Sequence, residues 1–159
     1  MKKVLALVKN GVESASSRQR IFKYLDYWEK AGFKTQLNQL VDEDYLHSYN
    51  LGVKYNRFRL LFFYIRRIIF LSKYVFQSDI IFIHRGELFP MFPTTLFIKL
   101  FHYLGVKIIV DYDDAVFHNY DNQTWIGRLN QIKLNSIIKL SDCVITGSPY
   151  LTEYCKRLN

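Results

Sequence analysis

Residues 106–111 read "VKIIVD" and run directly into "YDDAVF" at 112–117. Ile108, Ile109 and Val110 are consecutive, so a strand here is apolar on both of its alternating faces, as strands of a parallel sheet covered by helices on each side are. Two further runs share the pattern, "KVLALV" (3–8) and "DIIFIH" (79–84). "KTQLNQL" (34–40) and "DCVITG" (142–147) complete a set of five β-type runs. Helical patterns lie between them. From Ser17 to Lys30 the residues Ile21, Leu25 and Trp28 recur at i, i+4, i+7, with Gly32 as a stop signal. Helical stretches follow over about Asn56–Gln77, Thr94–Leu104 before Gly105, Thr124–Leu140 and Pro149–Leu158, the last with Pro in its first turn. Strands alternating with helices predict an α/β chain: a doubly wound parallel sheet of about five strands with helices on both faces.

The chain of 159 residues is sized for one domain and can bury roughly two-thirds of its unfolded surface. Half of its residues are hydrophobic and 17% aromatic, which excludes a disordered chain. Residues 1–159 therefore read as a single Rossmann-like domain without repeats or linkers. The net charge of +8 predicts an anionic partner: nucleic acid, headgroups or a phosphorylated ligand. Cys143 and Cys155 form no disulfide framework and read as reduced, structural residues. The start "MKKVLALVKN" is too short and too interrupted for a signal peptide, and no segment reaches the roughly 20 apolar residues of a membrane span, so a cytoplasmic location is expected.

In doubly wound folds ligands collect at the carboxyl ends of the strands. Those ends carry Asn10, Gly11 and Ser14–Arg20, then His84, Arg85, Gly86 and Glu87, then Asp111, Asp113 and Asp114, and finally Gly147 and Ser148. The first loop, "KNGVESASSRQRI", has neither G-x-G-x-x-G nor a Walker pattern, which argues against a nucleotide held in the usual Rossmann manner. Arg18 and Arg20 fall where a first helical turn would prefer acids; this points to a bound phosphate, or to arginines reaching into water. His84 could orient a ligand hydroxyl, Arg85 could pair with an anion, and Glu87 could do acid/base work; all three could also be structural. Asp111 and Asp113 project to one side of the strand, with Asp114 opening the loop. Crowded carboxylates raise one another's pKa, as a general base or metal site requires. The alternative is an N-cap at Asp113 or Asp114 with Asp111 salt-bridged to an Arg of a neighbouring loop. His47, His84, His102 and His118 have no metal-ligand spacing with either Cys, so no metal is expected.

No acidic residue lies between Asp44 and Asp79. Within that span Arg59, Arg66 and Lys73 are spaced by seven on one helical stripe, beside Arg67 and flanked by Phe62, Phe63, Ile69 and Phe70. A cationic stripe bordered by bulky apolar residues fits a helix lying on an anionic membrane surface, with Arg59, Arg66, Arg67 and Lys73 as contacts. A crossover helix with a solvated basic face is the simpler alternative. No nucleic-acid module surrounds it.

The order of elements, with "KNGVESASSRQR" after the first strand, "IIVDYDDAVF" at the fourth and "SDCVITGSPYLTEYCKR" at the end, resembles the N-terminal, acceptor-side domain of GT-B glycosyltransferases of the family 4 or group 1 type. The resemblance implies one half of an enzyme that transfers a sugar from a nucleotide-sugar to a lipid-linked or polysaccharide acceptor in cell-envelope glycan synthesis. It implies Asp113 and Asp114 as catalytic groups. Asn10, Gly11, Ser14, Arg18, Arg20, His84, Arg85, Glu87 and Asp111 would bind substrate. It implies no cofactor in this domain, a nucleotide-sugar donor for the complete enzyme, and a C-terminal donor-binding domain or subunit as partner. No E-x7-E donor motif lies in these 159 residues, so the expected state is an incomplete active site. The family's His in the loop after the fourth strand is replaced here by Asp113.

Two rival readings stay open. "IIVDYDDA" matches the D-x-D start of haloacid-dehalogenase-like phosphatases, with Asp111 as nucleophile and Asp113 as acid/base, although that motif is expected on a first strand. The other is a non-enzymatic membrane-docking module on the inner membrane face.

Overall fold

A computed structural model describes residues 1–53, 55–85, 94–120 and 124–159. Its strands are β1 (Lys2–Val8), β2 (Phe33–Gln39), β3 (Ile80–His84), β4 (Lys107–Tyr112) and β5 (Cys143–Thr146). They form one sheet in the order β2-β1-β3-β4-β5, every neighbouring pair parallel. The helices are α1 (Ala15–Arg20), α2 (Leu25–Lys30), α3 (Glu43–Asn50), α4 (Arg57–Tyr74), α5 (Thr94–Tyr103), α6 (Trp125–Leu140) and α7 (Pro149–Lys156). The predicted α/β class and five-strand parallel sheet are therefore found, with helices on both faces.

The period-2 alternation sorts the core into two layers. Leu5, Leu7, Ile81, Ile83, Ile108 and Val110 face one way and pack under Leu71 of α4, Ile98 and Phe101 of α5, and Leu134 and Ile137 of α6. Val4, Ala6, Val8 and Phe82 face the other way and meet Ile21, with Leu25 and Trp28 of α2 against them. A fully buried Leu or Ile contributes about 1.5–3 kcal/mol, so these layers dominate stability. Side-chain caps start four of the helices, whereas Ser14 at the start of α1 makes no such bond. Asp42 accepts from Tyr45 N at 3.0 Å, Asn56 from Phe58 N at 2.9 Å, Thr124 from Gly127 N at 3.1 Å and Ser148 from Leu151 N at 3.3 Å.

Four expectations are corrected. The predicted helix from Ser17 to Lys30 is two helices joined by a tighter turn: Ile21 N still bonds Ser17 O, but Tyr24 N bonds Ile21 O, three residues back. Arg18 and Arg20 consequently sit in the last turn of α1, where cations suit the helix dipole and call for no phosphate. Arg67 is buried rather than on a membrane-facing stripe: its Nη2 donates to Val8 O at 2.6 Å and Asn38 O at 3.2 Å. Cys143 is exposed on β5 while Cys155 is buried, its thiol pushed up by burial.

Candidate functional site

The chain leaves β1 toward β2 on one side and leaves β3 toward β4 on the other, so the two loops diverge at the carboxyl ends of these adjacent strands. That is the switch point at which an open α/β sheet forms a crevice. A cavity of about 220 Å³ lies there, lined by Lys9, Asn10, Ser14 and Ser17 from the β1 side, His84 and Arg85 from β3, and Tyr45, Leu46, Tyr49 and Asn50 of α3. It is below the roughly 300–1,000 Å³ of pockets that enclose drug-sized ligands. The space suits one small polar group rather than an extended nucleotide.

Beside the cavity, polar side chains lock the strand ends to α1. Arg20 grips Asp111 with two hydrogen bonds, Nε to Oδ2 at 3.0 Å and Nη2 to Oδ1. The carboxylate of Asp111 is buried, and the pairing raises the pKa of Arg20. Ser16 donates from Oγ to Asp113 Oδ2 and lies 3.0 Å from His84 Nε2. Arg85 completes the cluster through Nε to Asp113 Oδ1 at 3.1 Å and Nη2 to Asp114 Oδ2. Burial works to raise the pKa of Asp113, but the Ser16 hydroxyl, Arg85 and His84 overcome it, and the carboxyl titrates below its ordinary value. The expectation that crowding raises carboxylate pKa values fails at Asp113 because the Ser16 hydroxyl and Arg85, which also holds Asp114, outweigh burial, while Arg20 takes Asp111.

The protons of this cluster can be assigned. Ser16 spends its hydroxyl proton on Asp113, so at His84 the serine oxygen can only accept, and His84 Nε2 carries the proton. Burial lowers the pKa of His84 and keeps the ring neutral. Its Nδ1 is then a bare lone pair, buried and without a hydrogen-bond partner among the described residues. Asn10 Oδ1, another acceptor, is in the same condition. Two orphaned acceptors on residues that line one cavity call for hydrogen-bond donors.

Backbone geometry tightens the site. Arg85 has φ 59°, in the left-handed region, and its N–H donates to Asp111 O at 2.6 Å. On the far side Gly147 N donates to Tyr112 O at 2.8 Å, and a Cβ there would come within 2.9 Å of Asp113 O, so the β5 loop approaches the acidic strand end as only glycine permits. At Gly11 a Cβ would meet the end of the Gln39 side chain at 2.6 Å.

Of the sequence candidates, Asn10, Ser14, His84 and Arg85 line the cavity, and Asp111, Asp113 and Arg20 stand in the adjoining network. Arg18 turns back to Val12 O at 3.0 Å. Asp114 is mostly exposed and held by Arg85, and Glu87 lies outside the described residues. Ser16, the link between His84 and Asp113, had no signal beyond its Ser-rich surroundings. Among the described residues no group of three His, Cys, Asp or Glu could hold a metal ion.

No family model matches the chain, and no curated protein matches it. A solved structure described as a conserved protein from Enterococcus faecalis V583 is similar over 99% of this chain and 98% of that one, at 14% identity and a TM-score of 0.47. A likeness of that size says nothing of activity.

Proposed function

We propose that this domain is the acceptor-binding half of a cytoplasmic glycosyltransferase, and that the cavity between the β1 and β3 loops holds the sugar hydroxyl to be glycosylated. The observation that carries the reading is the pair of orphaned, buried acceptors, Asn10 Oδ1 and neutral His84 Nδ1, on two residues that line a small polar cavity. Sugar hydroxyls donate to such atoms, whereas a phosphodiester offers only acceptors. In this reading the acceptor oxygen bonds to the anomeric carbon of a nucleotide-sugar held by a second Rossmann-like unit, and the nucleoside diphosphate departs with the electron pair. The hydroxyl proton passes to His84 Nδ1. The resulting imidazolium is stabilised through Ser16 by Asp113, whose Oδ2 lies 4.0 Å from Nε2. Asp113 acts as a charge partner, and Asp114 holds Arg85.

The phosphatase alternative is weaker because both oxygens of Asp111 are taken by Arg20 and the side chain is buried, leaving no free nucleophile. Titration of the ¹⁵N-labelled chain with a short-chain prenyl diphosphate-linked monosaccharide tests the proposal. The expected result is shifts at Asn10, Ser16 and His84, lost in Asn10→Leu, with no shift from a nucleotide-sugar alone. A nucleotide-sugar that perturbs the same residues, or magnesium-dependent phosphatase activity abolished by Asp111→Asn, would overturn it.

A further inference from the structure

The three crossover helices α4, α5 and α6 share one face of the sheet, and each turns a bulky apolar ridge outward from it. On α4 the ridge is Phe58, Phe62, Ile65 and Ile69, directly opposite the buried positions Phe63, Arg67 and Leu71. On α5 it is Leu96, Leu100 and Tyr103, opposite Ile98 and Phe101. On α6 it is Trp125, Leu129 and Ile132, opposite Leu134 and Ile138. Phe58 is 84% exposed, Tyr103 88% and Trp125 71%, so these side chains stand in water rather than in grooves between helices. The outer face of a crossover helix is ordinarily polar, and apolar surface repeated across three neighbouring helices marks an interaction surface.

The charge pattern selects the occupant. None of the protein's Asp or Glu residues falls within α4, α5 or α6, whereas α2, α3 and α7 all carry them. Exposed Lys73, Lys99 and Lys139 lie on the three helices, whereas Arg66, expected among the membrane contacts, donates to Gln39 O at 3.1 Å and Leu40 O at 3.3 Å at the end of β2. Arg59, expected among the membrane contacts, is instead held at the rim by Asp42 and Asp44 at 2.9 and 3.0 Å. Phe63 is buried and Phe70 half-buried, which leaves Phe62 and Ile69 as the members of the expected apolar border that face outward. A second copy docked through this face would set cations against cations with no carboxylate to pair them. No helix among the described residues is long and apolar enough to cross a membrane. Aromatic and aliphatic side chains interspersed with Lys and Arg, with acids excluded, match the headgroup region of an anionic bilayer.

We infer that the α4–α5–α6 layer docks as a unit on an anionic phospholipid membrane, with its apolar ridges in the headgroup region. The inference stands on surface residues and is independent of the cavity, so a soluble acceptor can still report on the cavity if docking fails. The test is flotation of the purified chain with vesicles of phosphatidylglycerol and phosphatidylcholine at low salt, against vesicles of phosphatidylcholine alone. We expect flotation with the anionic vesicles and at least tenfold weaker partitioning for Ile69→Glu, Leu100→Glu and Trp125→Glu taken singly. Tyr27→Glu on α2, exposed on the other side of the sheet, should float as the parent does, and circular dichroism should show all four variants folded. Absence of flotation overturns the inference, as does loss confined to Ile69→Glu, which would reduce the surface to one helix. A stable dimer in light scattering that Ile69→Glu or Trp125→Glu converts to monomer would assign the face to a second copy instead.

Discussion

The ion pair between Arg20 and Asp111 joins α1 to the carboxyl end of β4, and its removal should be felt in stability by an amount set by burial. The Asp111 side chain retains 3% of its exposure and that of Arg20 29%. Replacing Arg20 by Met leaves a buried carboxylate stripped of two hydrogen bonds, a change that costs about 3–5 kcal/mol when one partner of a buried pair is lost. Water can reach the space the partly exposed guanidinium vacates, which places the expected loss near the lower end, about 3 kcal/mol. The reverse change, Asp111→Leu, strands a guanidinium that can swing into solvent and should cost about 1 kcal/mol. In Arg20→Met/Asp111→Leu two apolar side chains meet where two charges met, and stability should return to within about 1 kcal/mol of the parent. Urea unfolding followed by circular dichroism reads all three. With a slope of roughly 1–3 kcal/mol per molar, the Arg20→Met midpoint should fall by about 1–3 M, and the double variant should recover most of it. If the two single losses simply add in the double variant to within about 0.5 kcal/mol, the pair is not coupled and the argument from burial is wrong.

Burial lowers the folded-state pKa of His84, so as pH falls below its ordinary value of about 6.5 the unfolded chain takes up a proton that the folded chain resists. The stability at stake is present above that pH and lost below it: the urea midpoint should drop between pH 7.5 and pH 5.5, and in His84→Gln the drop should shrink. An undiminished drop in the variant would place the titration elsewhere. Arg67→Met removes charge-assisted hydrogen bonds to the carbonyls of Val8 and Asn38 and should cost about 3 kcal/mol, or roughly 6–12 °C in a thermal melt; a change under about 2 °C would show that the buried guanidinium is not holding these strand ends.

The sheet was legible because β1, β3 and β4 are apolar on both faces, a pattern a helix-covered parallel strand alone needs. The outer helices were legible from apolar spacing and from their breakers, Gly32, Gly105 and Pro149. The helix Glu43–Asn50 was not, because its residues "EDYLHSYN" span only about two turns and bury none of their number; Asp42 followed by two acids was the available signal. At the site, sequence located the strand-end loops and offered the salt bridge of Asp111 to a neighbouring arginine, but it placed the arginines in the wrong turn of α1 and expected a raised pKa at Asp113. Arg18 and Arg20 look alike in sequence, yet α1 is only six residues long, and its short turn sends one back to a carbonyl and the other to Asp111. Nor could spacing reveal that Ser16 bridges residues 68 and 97 positions away, since that bond exists only once β3 and β4 lie side by side.

Arg66 and Arg67 make the same point about α4 and connect the two surfaces of the molecule. They are adjacent in sequence and alike in charge, but a helix separates neighbours by about 100°, so Arg66 stays exposed and reaches Gln39 O and Leu40 O, while Arg67 turns under the helix. The buried one is placed by its partners: Val8 O is the last carbonyl of β1, and the next two residues, Lys9 and Asn10, line the cavity. A single guanidinium therefore clamps the helix that carries the longest apolar ridge to the loop that carries an orphaned acceptor. Apolar packing alone would let α4 slide along the sheet at small cost, whereas a buried cation has to keep its carbonyls. The bond thus fixes the position of the apolar face relative to the cavity, so that a membrane docked on the one would hold the other at a set height above it.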